Sequence, residues 1–236
     1  MAAQDDVRER EMRTLFNLTK PDKYGRGDID AVLELEGAAI PDDFTDLAIS
    51  FELKSSTGGR PNISTVRDFG LHYIEKWREL HWLFGVYEVA GGETKLQYCL
   101  YGSPAKMRRW FDRMAAYIAP DVALAECLPE LIGDEELTRV MGDAEDFGYE
   151  DAKRLAKNQL KRKDYLDAAD LPGERYSRSA MLALLRGRSK YVVERGSTLN
   201  NPHIPHTYFA GWERIERNHA ARLRELVVEA LQAEDA

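Results

Sequence analysis

The run Leu47-Ala48-Ile49-Ser50-Phe51-Glu52-Leu53-Lys54 alternates apolar and polar side chains with period two, and Gly58-Gly59 and Pro61 bound it. That period belongs to a strand with one face in a core. Residues two apart share a face, so Ser50, Glu52 and Lys54 point one way and Ile49, Phe51 and Leu53 the other. A carboxylate and an ammonium side by side at a strand's end can act together. The carboxylate holds a divalent cation through oxygen, and the lysine orients or deprotonates a water beside it.

A second acidic strand is expected upstream, over Ile29 to Leu35, after the glycine turn Tyr24-Gly25-Arg26-Gly27. The link from Glu36 to Asp46 carries Gly37 and Pro41-Asp42-Asp43, which suits a hairpin with a loose loop. Pairing the two strands brings Asp30 near Glu52. Converging carboxylates repel unless a cation lies between them, and Mg²⁺ takes one or two carboxylates with phosphate oxygens and water. The pattern suits metal-assisted phosphodiester hydrolysis. Asp28, Glu34 and Asp46 are alternative first ligands; Asp28 and Glu34 share the face of Asp30, so parity does not separate them.

An acidic residue opening one strand, followed by Glu-x-Lys in the next, resembles the PD-(D/E)xK nuclease superfamily, and within it a type II restriction endonuclease. The matching residues are Asp30, Glu52 and Lys54, within a stretch from about Met12 to Tyr101. The resemblance implies that Asp30 and Glu52 bind Mg²⁺ and that Lys54 assists the attacking water. One departure is that Ile29, and no proline, precedes Asp30. The resemblance also predicts the order helix, strand, strand, helix, strand, strand, forming a mixed sheet flanked by helices.

The chain of 236 residues can bury a sizeable core. No apolar run approaches a membrane span, and the charged N-terminus lacks a signal peptide's apolar stretch. Cys99 and Cys127 have no metal-ligand spacing, which suggests a reducing compartment. A cytoplasmic protein is expected. The net charge of −8 is unevenly spread. Between Asp121 and Glu150 ten acidic residues stand against Arg139 alone; between Asp151 and Lys190 eleven Lys and Arg stand against five acids. Phosphate contact is local, so the basic stretch can bind nucleic acid despite the overall sign.

Apolar spacing predicts a helix over Asp5 to Leu18, with its acids, including Glu9 and Glu11, mostly solvent-facing and one within possible reach of the metal site. Thr65 and Asp68 have capping-box spacing, predicting a helix to about Leu80. His81 to Val89 reads as a buried central strand, Gly91-Gly92 as a turn, and Lys95 to Tyr101 as a further strand. His72 and His81 read as surface or core histidines and not as ligands. Ser103-Pro104 starts a helix expected to reach Ala119. There, Lys106, Arg108, Arg109 and Arg113 can touch phosphate, whereas Met107, Trp110, Met114 and Tyr117 have core spacing. The acidic tract should form short helices broken at Pro129, Gly133 and Gly142 on the outer surface.

A basic helix is expected from about Tyr149 to Leu166, with Lys157 and Lys161 as backbone contacts. Ser177 should cap a short helix through Leu185, ended by Arg186-Gly187-Arg188. Tyr191-Val192-Val193 reads as a strand or as a second helix imitating a helix-turn-helix. Base contacts are expected from Arg186, Arg188, Asn200, Asn201 and His203, since Asn reads adenine and Arg guanine; Arg60 and Asn62 sit in a loop able to follow a groove. The closing amphipathic helix from Thr207 completes the core or forms a dimer seam.

The expectation is therefore an α/β chain with a restriction-endonuclease-like core and a helical C-terminal half. Residues 1–120 would form the nuclease core and 121–236 a mostly helical DNA-binding or dimerisation part. Its expected activity is Mg²⁺-dependent cleavage of double-stranded DNA at a short palindromic site by a homodimer, with a cognate DNA methyltransferase as genetic partner. A structure-specific repair or mobile-element nuclease, and a non-catalytic nucleic-acid-binding module, are the alternatives.

Overall fold

The computed structural model describes residues 2–21, 29–35, 42–66 and 69–234. The chain divides into two compact units, 1–115 with 200–236, and 116–199. The first begins with helix α1 (Ala2–Phe16), strand β1 (Ala31–Glu34), strand β2 (Ala48–Thr57) and the short strand β3 (Ile63–Ser64). Helix α2 (Leu71–Arg78), strands β4 (His81–Ala90) and β5 (Glu93–Gly102), and the start of α3 (Pro104–Leu131) follow.

The strands form a mixed sheet in the order β1-β2-β4-β5, so the chain is α/β as expected. β1 is antiparallel to β2 with Ala31 opposite Phe51. β2 runs parallel to β4, with Glu52 beside Trp82 and Lys54 beside Phe84. A parallel neighbour requires a crossover, and α2 supplies it. β4 and β5 close as a hairpin on Gly91 and Gly92, whose φ of 62° and 84° suit glycine.

One sheet face carries Phe51, Leu53, Leu83, Cys99 and Tyr101 against Met12 and Phe16 of α1. The closing helix belongs to this unit: α8 (His219–Glu234) adds Leu223, Leu226 and Val227 to the same core. It completes the core, the first of the two roles its stripe allowed. The expected grouping of 200–236 with the helical half therefore differs from the compact units. Of the apolar residues of α1, Val7 and Leu15 are exposed, at 59% and 37%. The opposite face carries Trp82 and Phe84 under Trp77, Phe111 and Phe209.

The expected helix from Thr65 begins only at Leu71. Thr65 instead gives its backbone N–H and its hydroxyl to the carbonyl of Pro202, at 2.9 and 2.8 Å. β3 pairs there with β8 (His203–Ile204), so tertiary pairing overrides the local cap signal. Asp68 lies outside the described residues.

The second unit contains α4 (Asp134–Met141), β6 (Asp146–Phe147), α5 (Tyr149–Leu155), α6 (Arg162–Ala168), β7 (Tyr176–Ser177) and α7 (Arg178–Gly196). Its core joins Leu137, Phe147, Leu155, Tyr165, Tyr176 and Met181. Ser103 caps α3, accepting from the Lys106 amide at 3.3 Å, as expected. The helix nevertheless passes through Pro120 and Pro129 to Leu131. Ile118 and Ala125, on either side of Pro120, are fully buried, so packing outweighs the lost backbone bond.

The expected basic helix over 149–166 is two helices. Lys157 and Asn158 adopt left-handed backbone, φ 54° and 56°, and end α5. Ser177 caps α7, accepting from the Ala180 amide at 3.2 Å, but α7 continues to Gly196, so no helix-turn-helix exists there. A Cβ at Gly187 would meet nothing within 4 Å, so no packing constraint breaks the helix at that glycine. In the acidic tract Glu136 accepts the Gly133 backbone N–H at 2.9 Å, and Asp134, Glu135, Asp146 and Glu150 are ion-paired. Asp151 and Asp164, further on, likewise accept the N–H groups of Gly148 and Lys161 at 3.0 and 2.9 Å.

Gly85 sits where α1 presses on β4. A Cβ there would stand 2.8 Å from the Tyr87 ring and 2.9 Å from the Met12 sulfur, and Met12 is fully buried. Gly85→Val should therefore destabilise the fold by about 1–3 kcal/mol through overpacking. Urea denaturation checks this; an unchanged midpoint would show that α1 yields freely.

Candidate metal and phosphate site

Asp30, Glu52 and Lys54 converge, as the strand register requires. Asp30 lies one residue before the pairing of Ala31 with Phe51, which sets it across from Glu52. Its amide donates to the Phe51 carbonyl at 3.0 Å, and its Oδ2 accepts the Leu53 amide at 2.9 Å. These bonds fix the carboxylate over the β2 edge. The Arg13 guanidinium adds a bond to the Asp30 carbonyl at 3.2 Å.

Glu52 is only 4% exposed. Its Oε1 accepts from Lys54 Nζ at 2.5 Å, while Nζ stands 3.9 Å from Asp30 Oδ2. Nζ also donates to the Leu53 carbonyl at 3.3 Å and lies 5.5 Å from the centre of the Trp77 ring. One ammonium is thus shared between two carboxylates over an aromatic face, which adds cation–π attraction.

Burial pushes the Glu52 carboxyl up; Lys54 opposes that shift and Asp30 adds to it. Burial alone would lower Lys54, but Glu52, Asp30 and Glu9 together hold it above its usual value. Lys54 is therefore an ammonium that donates hydrogen bonds. Glu9 of α1 is the acid that approaches this cluster. Burial first, and then the negative charge of Asp30, raise its carboxyl to about 7, although Arg13 stands 3.7 Å away. Glu11 instead accepts from the Tyr87 hydroxyl at 3.0 Å.

The donor set is hard oxygen. Among the described residues no three His, Cys, Asp or Glu side chains stand together as a ready ligand group. Asp30 and Glu52 alone match the one or two carboxylates that Mg²⁺ takes from protein, with water and phosphate completing its octahedron. The residues fit such an ion, with Lys54 as the nearest counter-charge and Lys76 acting on Glu52 as well. Of the alternative first ligands, Glu34 is exposed at the far end of β1, Asp46 is exposed in a turn with φ 66°, and Asp28 lies outside the described residues.

The expected DNA contacts scatter. Arg60, Asn62, Asn200 and His203 are exposed, and Arg60 lines a cavity. Asn201 is turned inward, its Nδ2 donating to the Thr65 carbonyl at 3.2 Å, so it clips a loop and is not free for a base edge. Arg186 likewise donates to the Ile132 carbonyl at 3.0 Å, and Arg188 has a buried Nη1. Both lie mid-helix in the second unit, where Lys157 and Lys161 are exposed. His81 is buried, bonded to the Tyr101 hydroxyl at 2.7 Å and lowered by burial to about 4, a neutral core histidine as expected. His72 is exposed and lies against Tyr73.

Trp77 beneath Lys54 was not singled out from the sequence. Among the described residues no helix is long and apolar enough to cross a membrane. Compared with known proteins, the chain matches no family model and no curated sequence.

Glu9 yields a pH test. Its folded carboxyl titrates near 7 against an ordinary 4.5, so its contribution to stability is complete below 4.5 and is lost as pH rises through 7. The metal-free protein should lose up to roughly 3 kcal/mol relative to Glu9→Gln across that window, at about 1.36 kcal/mol per unit. Urea titrations at successive pH values check this; parallel curves for the two proteins would remove Glu9 from the cluster.

Proposed function

We propose that this chain is a Mg²⁺-dependent nuclease of the PD-(D/E)xK type that hydrolyses phosphodiester bonds in double-stranded DNA, with a type II restriction endonuclease as the leading case. The observation that carries the reading is the convergence of Asp30, Glu52 and Lys54 on one sheet face. Helix α1 before the acidic strand, the parallel β2–β4 pair and the crossover α2 agree with what the resemblance implies.

Asp30 and Glu52 would hold the ion, which supplies positive charge to the phosphoryl group and lowers the pKa of a neighbouring water. Lys54 carries its proton at Nζ and donates it as a hydrogen bond to the phosphate or to the attacking water. The Leu53 amide and Arg13 keep Asp30 in place, so the site is organised before substrate arrives. A short palindromic target would be cut by a twofold dimer, within a cytoplasmic restriction system that also needs a DNA methyltransferase.

Glu52→Gln and Lys54→Met should each abolish plasmid cleavage in Mg²⁺ while leaving binding in EDTA within about threefold. Losing charge stabilisation of this kind costs on the order of 10²–10³ in rate or more. Undiminished cleavage by either variant would refute the site. Discrete plasmid fragments support restriction, whereas nicking or junction-dependent cuts support a structure-specific nuclease.

A further inference from the structure

Two cavities flank the segment 205–214 of the first unit. One, of about 510 Å³, is bordered by Lys106, Arg109 and Arg113 of α3 with Tyr208 and Trp212. The other, of about 520 Å³, is bordered by Arg60, His206 and Arg214 with Phe209 and Trp212. Thr207, Ala210 and Trp212 line both, so the two cavities share a wall. Neither lining includes an acidic residue, in a chain whose 41 Asp and Glu outnumber 33 Lys and Arg. Glu213 and Glu229 do act on Lys106 from outside the lining.

The cations are spaced along an axis. Lys106, Arg109 and Arg113 recur at helical i, i+3, i+7 intervals, so they form one stripe of about 10 Å at 1.5 Å per residue. Arg109 and Arg113 are exposed, and neither has an ion-pair partner among the described residues. The aromatic wall is fixed. The Tyr208 hydroxyl donates to the Lys106 carbonyl at 2.7 Å and accepts the Trp110 amide at 3.2 Å. Trp212 lies against Gly102, where a Cβ would come within 3.1 Å of the ring. The Tyr208 and Trp212 rings stand 5.9 Å apart and are tilted, with Lys106 Nζ 5.3 Å from the Trp212 ring.

A row of unpaired cations beside half-buried aromatic rings is what single-stranded nucleic acid requires: charge to track the backbone and π faces on which bases stack. A duplex hides those faces, so rings in cavities add little to duplex binding. We propose that this cationic, aromatic-walled groove binds a single-stranded stretch of DNA, resting on the nuclease reading for the choice of DNA. The second cavity borders the sheet face of Lys54, whereas Lys106 Nζ stands 5.5 Å from the ring of Tyr101 on the opposite face. Phe84, which neighbours Lys54 across β2 and β4, meets Phe209 at 4.9 Å and Trp212 at 6.2 Å. A strand opened beside the scissile phosphate would thus have a seat.

The test is titration of the full chain, in EDTA, with a thymidylate oligonucleotide of about 12 nucleotides, within the span of such surfaces. Trp77, Trp82 and Trp110 are at most 1% exposed, so quenching of tryptophan fluorescence reports Trp212. Quenching is expected, with a blunt duplex bound at least tenfold more weakly. The exposed double variant Arg109→Glu/Arg113→Glu should weaken oligonucleotide binding at least tenfold. It should also reduce the salt slope by about 1.4, at about 0.7 per lost phosphate contact. Trp212→Phe should retain binding but lose most of the quench. Equal affinity for duplex, tighter binding of the matched uridylate oligonucleotide, or a double variant that binds like the parent would overturn the assignment. Cleavage without single-strand binding would remove the groove alone, and single-strand binding without cleavage would remove the nuclease alone.

Discussion

Lys54 is shared by Glu52 and Asp30 on the sheet face that also carries Trp82 and Phe84. Withdrawing a carboxylate from water is costly unless a partner offsets the lost hydration. Glu52, almost wholly buried, meets that demand with a short contact to Lys54 and nothing else of comparable strength. Lys54 in turn rests above Trp77, on the helix that carries the chain from β2 to β4. The crossover thus closes the parallel pair and roofs the charged cluster. A buried ion pair is often no more stable than an apolar replacement of the same volume, so the cluster does not owe its place to stability alone.

The two faces of the sheet divide the work. Met12, Phe16, Leu223 and Val227 cover the face of Phe51 and Leu53, giving the first unit its main hydrophobic core. The opposite face is layered with Trp77, Trp82, Phe84, Phe111 and Phe209, whose ring contacts are mostly tilted or edge-on. Such contacts add to burial, and they leave Trp212 half-buried at the margin of the layer. The second unit uses charge differently. Several of its carboxylates close helix starts or pair with Arg175 and Arg178.

Legibility in the sequence followed the range of the interaction. The alternation through Phe51, Glu52, Leu53 and Lys54 specified strand and faces, because side-chain direction in a strand is a two-residue property. Ser103 and Ser177 marked helix starts, since a cap bond spans three residues. Stops were misread at two places. Packing around Ile118 and Ala125 carries α3 past Pro120, and α7 runs on through Gly187, which sits in open space. Lys157, by contrast, ends α5 through a left-handed backbone that nothing in a basic run announces. Among expected base readers, Asn201 and Arg186 were spoken for by carbonyls far away in sequence.

From the sequence alone came the acidic strand, the Glu-x-Lys strand and the face each carboxylate takes, because parity is a local consequence of the pleat; the register that sets Asp30, and not Glu34, across from Glu52 came with strand pairing. Tertiary structure decided the rest. It brought Glu9 within range of Asp30, set Trp77 under Lys54, and folded 205–214 against α3 so that separated cations border shared cavities. These arrangements depend on which surfaces pack together once the chain has folded, and burial and electric field have no counterpart in an unfolded string of residues.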